Sequence, residues 1–105
     1  LPVENFTETN WHMFQVILPL TQLTVDRAQV MTELKELGIG TGVHYPTITG
    51  FTLYKNLGYK TVDTPHAERI GRSILTLPLF PAMADEDIGR IVKGLAGILK
   101  KYRKN

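Results

Sequence analysis

Cysteine is absent from the 105 residues of this chain. Its absence excludes a disulfide framework, thiol catalysis and cysteine-ligated metal sites, and it fits a cytoplasmic location. The sequence also lacks an apolar run long enough to cross a bilayer and lacks a signal-peptide pattern, so we expect no membrane partner. Methionine is missing from the first position, which Leu1 occupies, and we interpret this start as a truncation.

A large excess of one charge is also missing, because twelve basic side chains are balanced by ten acidic ones. Four of the basic residues form a tail after the last predicted helix: Lys100, Lys101, Arg103 and Lys104. A basic tail complements the negative end of a helix dipole, whereas nucleic-acid binding needs a wider basic face. We therefore expect no nucleic-acid partner.

The residues that are present predict one globular domain, because 43% of them are apolar, enough for a single core at this length. The first predicted strand is apolar on both faces, which predicts an interior position in the sheet. The segments predict an α+β fold, an α/β sandwich in which helices pack against a small three-stranded sheet, mixed or antiparallel. They are, in chain order, a linker or frayed end over 1–10, a strand over 11–18, a helix over 26–37, a strand over 41–44, a connection over 45–65 with one or two helical turns, a helix over 65–72, a strand over 73–77 and a long helix from Asp85.

Capping residues predict where the two main helices begin and end. Asp26 is predicted to cap the first helix, with Gln29 completing a capping box, and Gly38 is predicted to close it in the left-handed conformation. Asp85 is predicted to cap the last helix. That helix carries an apolar stripe at helical spacing, which we expect to be buried: Ile88, Ile91, Val92, Leu95, Ile98, Leu99 and Tyr102.

Three glycines at alternate positions, Gly38, Gly40 and Gly42, invite comparison with a phosphate-binding loop. Such loops follow a strand and open a helix, whereas these glycines follow a helix and open a strand. We therefore interpret them as a helix cap followed by a turn, and we predict no dinucleotide site.

An imidazole and a phenol, on His44 and Tyr45, lie side by side at the end of the second predicted strand. An imidazole can donate, accept or titrate near neutral pH, and a phenol can hydrogen-bond while its ring stacks. Both are candidates for ligand contact, although a structural role for a lone strand histidine stays open. His12, among apolar strand residues, is predicted to be structural, and His66 to lie on a solvated helix face. The three histidines lack the spacing of a metal motif, so we predict no metal site.

A complete catalytic apparatus is not visible in the sequence. Capping explains the acidic residues at the start of the last helix, and no serine lies in a nucleophile elbow. The seven lysines lie in the tail, on polar faces or in loops, so none is suited to form a Schiff base. We predict no catalytic and no cofactor-binding residue in this chain.

Several short motifs follow one another between about residues 11 and 102. They are Trp11-His12-Met13-Phe14, Gly38-Ile39-Gly40-Thr41-Gly42-Val43-His44-Tyr45-Pro46, Leu53-Tyr54 with Leu57-Gly58-Tyr59, Ala67-Glu68-Arg69, and Leu77-Pro78-Leu79-Phe80-Pro81 before Asp85. In this order they resemble the C-terminal small domain of DegT-type, or StrS-like, nucleotide-sugar aminotransferases. The resemblance implies that 11–105 is such a domain and that the chain covers about the last quarter of a larger enzyme.

Members of this family are pyridoxal-phosphate enzymes of the aspartate-aminotransferase fold. They move an amino group from glutamate to a nucleotide-linked keto-sugar, in cell-surface polysaccharide or natural-product sugar biosynthesis. The resemblance implies that a large domain, absent here, binds the cofactor, that a homodimer partner is present in the parent, and that this fragment alone is inactive. It also implies that this domain lines the cleft, with substrate contact by His44 and, more weakly, by Tyr45. Relatives often have a second histidine where this chain has Thr49, so that contact does not carry over.

The same residues also fit a free-standing α+β module that binds or senses a small ligand at His44 and Tyr45 without catalysis. A reading frame that continues upstream to a cofactor lysine would discriminate the two interpretations. For the aminotransferase fragment we further expect exposed aromatic side chains where the large domain docks: Trp11, Phe51, Tyr54 and Phe80.

Overall fold

The computed structural model describes residues 8–105 and confirms the α+β class. Of the linker predicted over 1–10, residues 1–7 lie outside the described part, and residues 8–10 belong to no helix or strand. The described elements are β1 (Phe14–Ile17), α1 (Arg27–Glu36), α2 (Thr52–Asn56), α3 (Pro65–Ser73), β2 (Ile74–Leu77) and α4 (Asp85–Lys101), with 3₁₀ turns at Leu20–Gln22, Ile48–Gly50 and Thr61–Asp63.

The described sheet has two strands, and the predicted three-stranded sheet is not confirmed. β1 pairs with β2 in antiparallel register, with Phe14 opposite Leu77 and Ile17 opposite Ile74. The segment predicted as a strand over 41–44 makes only an isolated bridge, between Gly42 and Thr76. That bridge lies on the other side of β2, so β2 is the middle element.

The interior position predicted for the first strand is therefore wrong. β1 lies at the edge of the described sheet, and Ile17 is 41% exposed. The strand is also shorter than the predicted 11–18, because Trp11 has a φ of 49°, a left-handed conformation incompatible with a strand. An interior place in the described sheet therefore does not explain why both faces of this strand carry apolar residues.

Helix α1 has the predicted caps at Asp26 and Gly38, but the predicted capping box is not formed, because the side chain of Gln29 donates to Glu33. The carboxylate of Asp26 accepts a hydrogen bond from the backbone N–H of Gln29 at 2.9 Å. Gly38, at φ 72°, closes the helix, and the N–H groups of Gly38 and Ile39 bond to the carbonyls of Lys35 and Leu34. This is the Schellman arrangement, which needs a left-handed residue and so favours glycine.

One apolar core lies between the sheet and helices α1 and α4, which contact each other. Leu34 and Leu75 are fully buried at its centre, one from α1 and one from β2. The remaining buried members of the core are Val16, Leu18, Leu23, Val30, Ile39, Ile91 and Ile98. The domain therefore has two layers, with the sheet as one layer and the helices as the other.

Helix α4 differs from its prediction in its cap and in its buried face. Ala84 occupies the N-cap, and its N–H donates to the carboxylate of Asp87 at 3.3 Å, while Asp85 is the first helical residue. Of the predicted stripe, Ile91 and Ile98 are buried, and Leu95, Leu99 and Tyr102 are half-buried. Ile88 and Val92 are 49% and 59% exposed, so their predicted burial is wrong.

Gly94 shows which face of α4 meets the core. A Cβ atom on Gly94 would stand 2.9 Å from Cδ1 of Ile39, too close unless the Ile39 side chain shifts. With Gly94 turned toward the core, residues three or four positions away share its face, whereas Ile88 lies to one side. Across residues 8–105, no helix is both long and apolar enough to span a membrane.

Candidate functional site

A row of three residues crosses the sheet on the face opposite the core. Gln15 of β1 lies opposite Thr76 of β2, and Gly42 pairs with the other side of Thr76 through two backbone hydrogen bonds of 2.8 and 3.0 Å. Val16 and Leu75, the next residues along the two strands, are buried. Because side chains alternate along a strand, Gln15 and Thr76 face away from the core.

His44 is held on this row by two hydrogen bonds, one to its side chain and one to its backbone. Its Nδ1 lies 2.9 Å from the hydroxyl of Thr76, and its carbonyl oxygen accepts from Nε2 of Gln15 at 2.6 Å. Within residues 8–105, no protein hydrogen bond is made by Nε2 of this ring. The ring is therefore fixed through one nitrogen and can present the other to a ligand.

Gly42 lies directly beneath this ring. A Cβ atom at position 42 would stand 2.6 Å from Cε1 and 3.3 Å from Nδ1 of His44. No such contact exists for Gly40, where an added Cβ would meet nothing within 4 Å. A side chain at position 42 would thus displace the imidazole, whereas glycine at position 38 is favoured by its positive φ.

Tyr45 adds an exposed aromatic ring beside the imidazole. The two rings are 5.1 Å apart at an interplanar angle of 84°, an edge-to-face arrangement. Tyr45 is 69% exposed, while His44 is half-buried. The structure thus brings the two candidate residues predicted from the sequence together at one surface.

Sequence reasoning missed Gln15 and Thr76. Each is a polar residue in a strand of otherwise apolar residues, and that interruption of an apolar run is the available signal. The sequence pattern does not reveal that β1 pairs with β2. Only this pairing places the side chains of Gln15 and Thr76 next to His44. Thr49, where relatives often have a histidine, has its hydroxyl 3.2 Å from that of Thr64, so it is engaged within its own loop.

Among residues 8–105, no hydrogen bond joins either of the other two histidines to this surface. His12 precedes β1 and is exposed, so the structural role predicted for it among apolar strand residues is wrong. His66 is exposed in the first turn of α3, as predicted. In the described part of the chain, no group of three or more histidine, aspartate or glutamate side chains is placed to hold a metal ion.

A charged cluster links α1 to the end of α4. Nζ of Lys101 lies 2.8 and 2.9 Å from the two carboxylate oxygens of Glu33, and the Tyr102 hydroxyl also donates to Glu33. The hydrogen bonds from Lys101 and Tyr102 lower the pKa of Glu33, and the bond to Glu33 raises the pKa of Lys101 to about 12. Lys101 is thereby held in its charged form, the opposite of what a nucleophilic amine requires.

The sequence and fold match known proteins over most of the chain. A model of the DegT/DnrJ/EryC1/StrS aminotransferase family matches residues 1–96. An uncharacterized protein of Methanocaldococcus jannaschii, MJ1066, is 32% identical over 94 residues, which make up 89% of this chain and 24% of that protein.

Solved structures of one Streptococcus pneumoniae protein, named "Putative sugar aminotransferase Spr1654", match 86% of the chain. The PMP form has a TM-score of 0.78 at 28% identity and is covered over 22% of its length. The PLP form gives the same TM-score and identity, with 23% of its length covered. The chain thus spans about a quarter of the length of the proteins it matches.

Proposed function

We propose, from the fact that this chain belongs to the DegT/DnrJ/EryC1/StrS aminotransferase family, that it is the small domain of a pyridoxal-phosphate-dependent sugar aminotransferase. The parent enzyme transfers an amino group from glutamate to a nucleotide-linked keto-sugar. In it, this domain lines the substrate cleft, and the rest of the polypeptide supplies the chemistry. The PLP form of Spr1654 supports the choice of cofactor.

The arrangement of His44 is the observation that supports a substrate-contacting role. The ring is fixed on Nδ1 by Thr76 and packed over Gly42, and Nε2 has no hydrogen-bond partner among residues 8–105, so the ring is oriented for a ligand rather than for the core. Tyr45 extends the same surface with a phenol that can bond hydroxyl or phosphate oxygens and a ring that can stack. These chemistries suit a nucleotide-linked sugar.

The residues of this chain do not fit a pyridoxal-phosphate site of their own. Lys101, whose amine is paired with Glu33, has a pKa raised to about 12, so it stays charged at neutral pH. The glycines that end at Gly42 follow the C-terminus of α1 and lead to a sheet bridge, whereas a phosphate site needs the amides at a helix start. We therefore assign cofactor binding to the part of the enzyme outside this chain.

Replacement of His44 by alanine in the full-length polypeptide tests the proposal. We expect kcat/KM for amino transfer from glutamate to nucleotide-linked keto-sugars to fall by about tenfold or more. The free energy of unfolding should change by less than about 1 kcal/mol, because the ring lies outside the core. His66→Ala, on the exposed start of α3, is the control and should retain activity. An unchanged kcat/KM of the folded variant, combined with a free energy of unfolding lowered by well over about 1 kcal/mol, would assign His44 to the fold instead.

A further inference from the structure

Residues 45–63, which we call the arm, form a long connection between His44 and α3 that contributes no residue to the core. They follow His44 directly and contain α2 and two 3₁₀ turns. None of these nineteen residues is buried, and none belongs to the core cluster or packs against it as a partly buried member. The arm nevertheless carries seven large apolar side chains that are 48% to 76% exposed: Tyr45, Ile48, Phe51, Leu53, Leu57, Tyr59 and Val62.

The arm is an ordered structure despite its lack of core. Gly58, at φ 91°, closes α2 with a Schellman arrangement in which the N–H of Tyr59 bonds to the carbonyl of Tyr54. The rings of these two tyrosines meet edge to face at 6.0 Å. Local geometry of this kind fixes the backbone, yet it leaves the apolar side chains facing outward.

The start of the arm, at Thr47, packs against α3. The hydroxyl of Thr47 donates to the carbonyl of Ala67 at 3.1 Å. A Cβ atom on Gly71 would stand 2.5 Å from that hydroxyl and 2.7 Å from the backbone nitrogen of Thr47, so the two segments touch. The arm is thus fixed to the domain at Thr47 and carries its apolar side chains exposed.

We infer that the apolar side of the arm docks on the rest of the aminotransferase polypeptide, next to the cleft that His44 enters. This inference rests on the proposed function. Seven exposed large apolar side chains within nineteen residues form a concentration of the kind that marks a contact surface. The matched relatives are about four times as long as this chain, because it covers only 22% to 24% of them, so a polypeptide large enough to cover the arm is expected. A second copy of this chain is the competing occupant.

Hydrogen exchange, measured on the isolated chain and on the full-length polypeptide, tests the docking. We expect amides of the arm to exchange on the order of tenfold or more slowly in the full-length polypeptide. Amides of α1 are the internal control, because Val30 and Leu34 are already fully buried in the chain itself. Equal arm exchange in the two proteins would overturn the inference. Arm exchange in the isolated chain that slows with increasing concentration would also overturn it, in favour of self-association.

Two matched variants of the full-length polypeptide locate the contact. Leu53→Asp, at a position 65% exposed in the arm, should restore fast exchange to the arm. Val92→Asp, at a position 59% exposed on α4, should leave the arm protected. If the two substitutions change the exchange rates of the arm amides equally, the arm is not the docking surface. Arm protection in a polypeptide that does not transfer amino groups would support the docking and refute the proposed function, so the two can fail separately.

Discussion

A Cβ atom on Gly42 would stand 2.6 Å from Cε1 of His44, closer than carbon atoms approach without a shift. The atom in the way is the far end of a side chain and not backbone, so the ring can move aside. Glycine at position 42 thus allows the imidazole of His44 to lie above the sheet.

Gly42→Ala should displace the His44 ring without unfolding the chain. We expect the imidazole resonances of His44 to shift in the NMR spectrum as its bond to Thr76 is lost, with a stability change below about 1.5 kcal/mol. Gly40→Ala, where the added Cβ meets nothing, should leave those resonances in place. Identical spectra for the two variants would show that Gly42 does not position the ring.

Truncation of two isoleucines on α4 separates its real buried face from the one that periodicity predicts. Ile91→Ala, at a position 6% exposed, should lower the free energy of unfolding by about 2 to 5 kcal/mol, because it opens a cavity in the core. Ile88→Ala, at a position 49% exposed, should cost less than about 1 kcal/mol. Chemical denaturation of both variants measures the difference. Equal losses would mean that the helix is rotated from the orientation described.

These isoleucines also show which features of α4 can be predicted from the sequence. The 3.6-residue period locates α4 and its apolar stripe, because the period is a property of the helix itself. It cannot tell which flank of the stripe meets the core, because that depends on where Gly94 contacts Ile39, a residue far away in the chain. Packing within the described core does not explain why the flank with Ile88 and Val92 is apolar.

The candidate site was predictable to a similar extent. His44 and Tyr45 stand out as adjacent polar rings after a glycine run, and the structure brings them together. Gln15 and Thr76, which hold His44, come from strands far apart in the sequence, so a local pattern marks each as polar but cannot show that they meet at His44. The third strand failed because only Gly42 reaches β2, and one bridge is too little to form a strand.

Protonation of Glu33 should contribute to the loss of stability in acid. Its pKa is lowered in the folded chain by hydrogen bonds from Lys101 and Tyr102. A group with a lowered folded pKa stabilises the protein above its unfolded pKa, here 4.5, and this stabilisation is lost as the pH falls through the folded value. Glu33→Gln should therefore make stability fall less steeply with pH below about 4.5. The effect is small because the cluster is exposed, and an unchanged slope in chemical denaturation would contradict the assignment.

The central claim is that this chain contacts substrate while the cofactor chemistry belongs to the rest of the enzyme. The most direct test is to treat the full-length polypeptide and the isolated chain with pyridoxal phosphate and then with borohydride, which fixes the cofactor to the lysine that holds it, and to map the modified peptide. We predict one modified lysine outside residues 1–105 in the full-length polypeptide, and only weak labelling spread over several lysines in the isolated chain. Stoichiometric labelling of a single lysine among the seven in this chain, with conversion of glutamate, would contradict the claim.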